Sequence, residues 1–195
     1  NENNQLVDKI IEYGLDKTNG WNHTLEVADF NNDGYQDILV GNNGLNSRLK
    51  ASTEFPLVLL VNDFDRNGTV EQILGMYRQG NLFPIVQLKD LWMQIPSLKK
   101  KYLKFENYKN EKLEELFDQD IFDASLKLYT YQLNTSLWLN DKGKKFIEND
   151  LPISSQFSPI YSILIEDINL DGSIVINING VKQNLYFARI IDDRN

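Results

Sequence analysis

One stretch of nine residues constrains this chain more than any other. Asp29 to Asp37 reads DFNNDGYQD, with oxygen-bearing side chains at Asp29, Asn31, Asp33 and Asp37. Three carboxylates held within one short turn repel one another unless a cation lies among them. A hard cation such as Ca²⁺ takes roughly six to eight oxygens at about 2.3–2.6 Å. A tight loop can supply them from alternate side chains plus one backbone carbonyl, here that of Tyr35. Gly34 follows the third ligand and lets the backbone turn through positive φ without a Cβ clash.

The pattern recurs. Asp63 to Glu71 reads DFDRNGTVE and offers Asp63, Asp65, Asn67, the carbonyl of Thr69, and Glu71. Asp167 to Val175 reads DINLDGSIV and offers Asp167, Asn169, Asp171 and the carbonyl of Ser173. A single copy could be a solvated turn, because Asn, Asp and Gly are also turn formers. Recurrence after apolar, strand-like runs favours metal loops. The third is expected to bind more weakly, or to be completed by water or by a residue from elsewhere, since Val175 stands where Asp37 and Glu71 stand.

The start of each loop is that of an EF-hand, but the remainder is not. An EF-hand closes on a bidentate Glu at its twelfth position and lies between helices. That position here is Val40, Leu74 or Ile178. The flanks read as strands instead: Thr24 to Ala28 and Asp37 to Val40, Leu57 to Val61 and Gln72 to Tyr77, and Tyr161 to Ile165 before the third loop. Each loop is therefore expected to join two strands of a hairpin.

Between Gln87 and about Leu128 the period changes. Leu88, Leu91, Trp92 and Ile95 recur at helical spacing, and Pro96 ends that helix. Ser97 is expected to cap a second, carrying Leu98, Tyr102, Leu103 and Phe105. Leu113, Leu116 and Phe117 mark a third, and Ile121, Phe122, Leu126 and Leu128 a fourth. The block reads as a helical insertion in a strand-rich chain. Lys99 to Lys101 reads as a solvated helix face. Strand character returns at Tyr129; Ser136 to Asn140 and Lys145 to Glu148 form a hairpin without a metal loop, and Leu185 to Ile191 is a last apolar run. Near the N-terminus, Leu6, Val7, Ile10 and Ile11 fit a short strand or a helical turn or two. His23, the single histidine, reads as a surface or packing residue.

Composition narrows the partners. A net charge of −8 disfavours nonspecific nucleic-acid binding, which relies on Lys and Arg neutralising phosphates. Cysteine is absent, which excludes disulfides and thiolate chemistry. No apolar run reaches the roughly 18 residues of a membrane span. No secretory leader is readable, as expected of a mature or trimmed chain.

The motif D-x-D/N-x-D/N-G-x-x-D/E between strands, followed by G-N, resembles the FG-GAP or VCBS repeat of calcium-binding β-propellers, including those of integrin α-subunits. The matching pieces are Val27 to Asn42, Leu60 to Tyr77 and Leu164 to Gly180. GWN at Gly20, GNNGLNSR at Gly41 and SPIYSIL at Ser158 further resemble a bacterial exported subgroup that carries a helical insertion in a blade. The resemblance implies a mainly β chain of propeller-type blades, partial or open, with calcium in the hairpin loops. It also implies export to a secreted, periplasmic or cell-surface location. On this reading residues 1–195 are a single module, or a fragment of a longer propeller, with the insertion at about 87–128. The expected role is non-catalytic recognition of a glycan or protein, or scaffolding. The alternative is a carbohydrate-active enzyme, or its accessory domain, on a propeller scaffold; paired carboxylates could serve acid–base chemistry, but each clustered acid is better accounted for as a calcium ligand.

Overall fold

The structure is a computed structural model and describes residues 5–166, 175–180 and 185–189. The chain divides into two compact units, one of residues 1–48 with 132–195, the other of residues 49–131. In chain order the second is inserted into the first.

The first unit begins with a turn. The amide of Tyr13 donates to the Lys9 carbonyl and that of Leu15 to the Ile10 carbonyl, so this segment takes the helical-turn alternative. Leu6 and Ile11 remain solvent-facing. Strands β1 (Thr24–Ala28) and β2 (Asp37–Gly41) then form the first hairpin. After the inserted unit, β7 (Ser136–Asn140) pairs antiparallel with β2, and β8 (Phe146–Asn149) with β7. The sheet order β1-β2-β7-β8 is therefore a four-stranded meander once the insertion is set aside. A second antiparallel meander follows from β9 (Ile160–Glu166), β10 (Val175–Gly180) and β11 (Leu185–Arg189).

Alternation explains how these sheets pack. Opposite residues of paired strands share a face, and Leu39 lies opposite Leu137. Both are fully buried, in one cluster with Phe30, Ile160 and Ile163. His23 is exposed and lies against Tyr161, ring centroids 4.5 Å apart, which is the packing role expected of it.

The inserted unit has its own sheet and core. Strands β3 (Leu57–Asn62), β4 (Glu71–Arg78) and β5 (Asn81–Pro84) form a meander, and β6 (Leu126–Thr130) adds to the free edge of β3. Between β5 and β6 run helix α1 (Leu88–Gln94), short 3-10 turns and helix α2 (Gln119–Ala124). The leucines of α1 and of the Leu113–Glu115 3-10 turn pack inward. Leu88, Leu91, Ile95, Leu113 and Leu116 are buried in one cluster with Val58, Leu60 and Ile73 of the sheet. Replacing such a buried Leu by Ala costs about 2–5 kcal/mol. Gly75 of β4 is required here by closeness of approach, since a Cβ on it would stand 2.6 Å from a Leu113 methyl.

Several helical expectations are corrected. The second and third helices are short 3-10 turns instead, Pro96–Lys99, Phe105–Asn107 and Leu113–Glu115, and Leu103 and Phe105 face solvent. Leu126 and Leu128 lie in β6, not in a fourth helix, because β3 offers them an unpaired edge running from Leu57 to Val61. Ser97 does not cap a helix: Pro96 already occupies the first position of a 3-10 turn, Pro96–Lys99, whose preceding residue is Ile95. Proline's fixed φ is preset for that position, so the turn starts one residue earlier.

Candidate metal centre

The two described loops share the hydrogen bonds around their first acid. In the first, Asp29 accepts the Asp33 amide at 3.0 Å and the Gly34 amide at 2.8 Å. In the second, Asp63 accepts the Asn67 amide at 2.9 Å and the Gly68 amide at 2.8 Å. The left-handed positions also coincide, at Asn32 (φ 57°) and Gly34 (φ 90°), and at Arg66 (φ 58°) and Gly68 (φ 87°). The second left-handed position of each pair explains the glycine, which adopts it without a Cβ clash.

The ninth position closes each loop from below. Asp37 accepts the Phe30 amide at 2.9 Å, and Glu71 accepts the Phe64 amide at 3.0 Å. Phe30 and Phe64 are the second residues of their loops, and both are buried. Each loop is thus fastened to its own unit's core by a phenylalanine and tied across its base by a carboxylate. The strand register matches as well: Ala28 lies opposite Asp37, Asn62 opposite Glu71, and Glu166 opposite Val175. The β9–β10 hairpin therefore closes in the register of the other two. Asp167, Asn169, Asp171 and Ser173 lie outside the described residues.

The loops differ in how their acids are partnered. In the first, the Asn31 side-chain amide donates to Asp33 at 3.1 Å, and Asp33 also accepts the Tyr35 amide at 2.9 Å. Asp37 takes a second donor, the Asn140 amide, at 2.8 Å. Burial pushes the Asp37 carboxyl above the ordinary aspartate value; the Asn140 and Phe30 amides pull the other way, and Asp33 and Asp29 add to the rise. In the second loop, Asn67 accepts the Thr69 amide at 2.7 Å. Asp65, Asp63 and Glu71 each bring a carboxylate oxygen within 4.8 Å of the others.

That spacing suits a cation. Ligands on opposite sides of Ca²⁺ at about 2.3–2.6 Å are separated by about 4.6–5.2 Å. Asp65 supplies the sharper observation, because its Oδ1 is buried and has no hydrogen-bond partner. A buried carboxylate oxygen without a donor is costly, and a cation coordinated there removes that cost. The residues present therefore fit Ca²⁺, with Asp63, Asp65 and Glu71 as its acids, Asn67 at the remaining side-chain position and Thr69 at the carbonyl position.

Asn140 and Asn62 support the loops without belonging to the motif. Asn140 reaches Asp37 through its backbone amide and the Gln36 carbonyl through its side chain. Asn62 accepts the Asp63 amide and donates to the Ile121 carbonyl and the Ser125 hydroxyl. Phe117 stacks on Phe64 at 4.2 Å between centroids, and Asp120 pairs with Arg66 at 2.9 Å. The recurrence of DF at the head of both loops was the one visible sign of the phenylalanine anchors; the asparagine supports have no local signal.

Among the described residues no helix is long and apolar enough to cross a membrane. No curated protein and no solved structure matches the chain. Residues 21–51, which span β1, the first loop and β2, match the family model of the FG-GAP repeat.

Proposed function

We propose that this chain is a calcium-binding, non-catalytic recognition or scaffold module whose FG-GAP-like hairpins belong to propeller-type blades. The observation that carries this reading is the buried, unpartnered Oδ1 of Asp65 at the point where the carboxylates of the second loop converge. The FG-GAP match over the first loop and the shared hydrogen bonding of the two loops extend it to a repeated site. The order β1-β2-β7-β8 is the meander expected of a blade.

Calcium would neutralise the clustered acids and cross-link the first, third, fifth and ninth positions, giving each hairpin a stiff tip. Rigid loops on a β scaffold are suited to presenting a surface to a glycan or protein. Sites of this kind suit a calcium-rich setting, so we place the protein outside the cytosol, as a secreted, periplasmic or cell-surface protein. Calorimetric titration of chelator-stripped protein tests the reading. Calcium should give at least two binding events, with magnesium a poor substitute because it demands a smaller octahedral shell. A titration with no calcium heat would overturn it.

A further inference from the structure

A cavity of about 390 Å³ opens in the first unit, at the end of the β7–β8 hairpin away from its Asp141–Gly143 turn. Its volume is within the roughly 300–1,000 Å³ of ligand pockets. Leu45, Leu151 and Ile153 give it apolar walls, and Leu45 and Ile153 keep much of their surface exposed. The acids lining it are Glu148 and Asp150, and no lysine, arginine or aromatic ring lines it.

The cavity is held open by a hydrogen-bonded frame. Gln156, 6% exposed, accepts the Thr135 amide at 2.9 Å and donates to the Thr135 carbonyl at 2.8 Å. Its own backbone carbonyl accepts the amides of Leu45 and Asn46. Asn134 donates to Glu148 Oε1 at 2.8 Å, which orients that carboxylate and leaves its second oxygen available. A frame fixed before binding lowers the ordering cost of a ligand.

We propose that this cavity binds a primary ammonium group on an alkyl stem, presented as a lysine side chain of a protein partner. The stem would lie along Leu45, Leu151 and Ile153, as lysine stems do on apolar surfaces. The ammonium would meet Glu148 and Asp150, whose charge no lining cation offsets. A sugar is disfavoured because no aromatic face is offered for stacking. An anion is disfavoured by the two carboxylates.

The test is a titration of the isotope-labelled full chain followed by amide NMR, in saturating calcium and again with chelator. The probes are acetyl-Gly-Lys-Gly-amide, the same peptide with norleucine for lysine, cadaverine and glucose. The lysine peptide should shift the amides of Leu45, Thr135 and Leu151, and added salt should weaken it. Norleucine and glucose should not shift them. Asp150→Asn should weaken the lysine peptide by roughly threefold or more, in keeping with an exposed ion pair, and adding Glu148→Gln should weaken it further. Both variants preserve shape, and Gln at 148 can still accept from Asn134, so an unchanged spectrum without peptide certifies the fold. Silence from the lysine peptide, equal shifts from norleucine, or indifference to the double variant would overturn the site. Cadaverine binding without the lysine peptide would overturn the protein partner. Persistence of lysine-peptide binding in chelator would separate this site from the metal loops, whatever becomes of the calcium reading.

Discussion

The first and second loops have the same backbone and different charge economies. Both wrap two amides around their first aspartate and tie the ninth acid to a buried phenylalanine's amide. The first loop's acids then take further donors, Asn31 to Asp33 from within the loop and Asn140 to Asp37 from β7. The second exchanges the two middle ligands, Asp65 for Asn31 and Asn67 for Asp33, and in doing so leaves a buried carboxylate oxygen without a donor. The comparison separates two demands on such a loop. Backbone shape comes from the first and ninth acids and the left-handed pair. On the proposed calcium reading, dependence on a cation would come from what occupies the third and fifth positions.

The largest effect should appear at the ninth position in chelator, where shape alone is read. Asp37→Ala would strip the acceptor from the Phe30 and Asn140 amides in a fully buried setting. Losing two such partners costs about 2–6 kcal/mol. Glu71→Ala leaves the Phe64 amide without its side-chain acceptor, for about 1–3 kcal/mol. Denaturant unfolding in chelator measures both. Equal losses would show that the Asn140 contact contributes nothing.

A reciprocal exchange of the middle ligands should give effects of opposite sign. Asp65→Asn provides the second loop with an amide donor like that of Asn31. Without metal it should leave stability unchanged or raise it by about 1 kcal/mol, the worth of one hydrogen bond. In calcium it should weaken binding by roughly tenfold, since ligand charge count sets affinity in such sites. Asn31→Asp in the first loop should do the reverse: lower stability in chelator and a tighter calcium event. Changes of the same sign in both loops would break the distinction drawn between them.

How much of this was legible follows the range of the interactions. The hairpin strands show in sequence because their apolar runs and the turn between them are contiguous. Strand β6 does not, because Leu126 and Leu128 become a strand only against β3, a partner far away in the chain; locally their spacing also suits a helix. Strand β5 gave no signal of its own in a short run ending at Pro84. Nor could the motif reveal Asn140, which supports Asp37 from 103 residues away. The candidate ligand positions are readable as a pattern, since alternation and glycine are local. The unpartnered state of Asp65 was not, because it depends on burial.

Alkali should distinguish the supports of the two loops, with a smaller effect than the ligand exchanges. The core beneath the second loop holds Tyr102 and Tyr108. Burial raises both phenols; Tyr102 is raised further by its hydrogen bond to Glu111, and Tyr108 reaches about 12 against an opposing pull from Arg78. For a raised acid, the unfolded chain ionises first, near pH 10. These phenols therefore leave stability unchanged well below pH 10 and erode it as pH rises from there through the folded value. Tyrosinate absorbance against pH should show two late-titrating phenols, removed singly by Tyr102→Phe and Tyr108→Phe. Ordinary titration of both would place the tyrosines in water.

The smallest effect should come from the third loop. Val175 stands opposite Glu166, in the register that Asp37 and Glu71 hold in their hairpins. A valine side chain can neither coordinate a cation nor accept an amide, so position 175 cannot supply the carboxylate tie that Asp37 and Glu71 provide. Removing another acid from a site already without its ninth ligand should change little. Asp171→Ala should therefore lower the melting temperature in calcium less than Asp33→Ala or Asn67→Ala does, because binding to the native state stabilises only as far as the site is occupied. Val175→Glu supplies the converse. If the ninth position is what this loop lacks, the variant should add a calcium event in calorimetry and raise the melting temperature only when calcium is present. An Asp171→Ala loss larger than the other two would mean that the third loop obtains its missing ligand from elsewhere in the chain, and the ninth position would no longer rank the three sites.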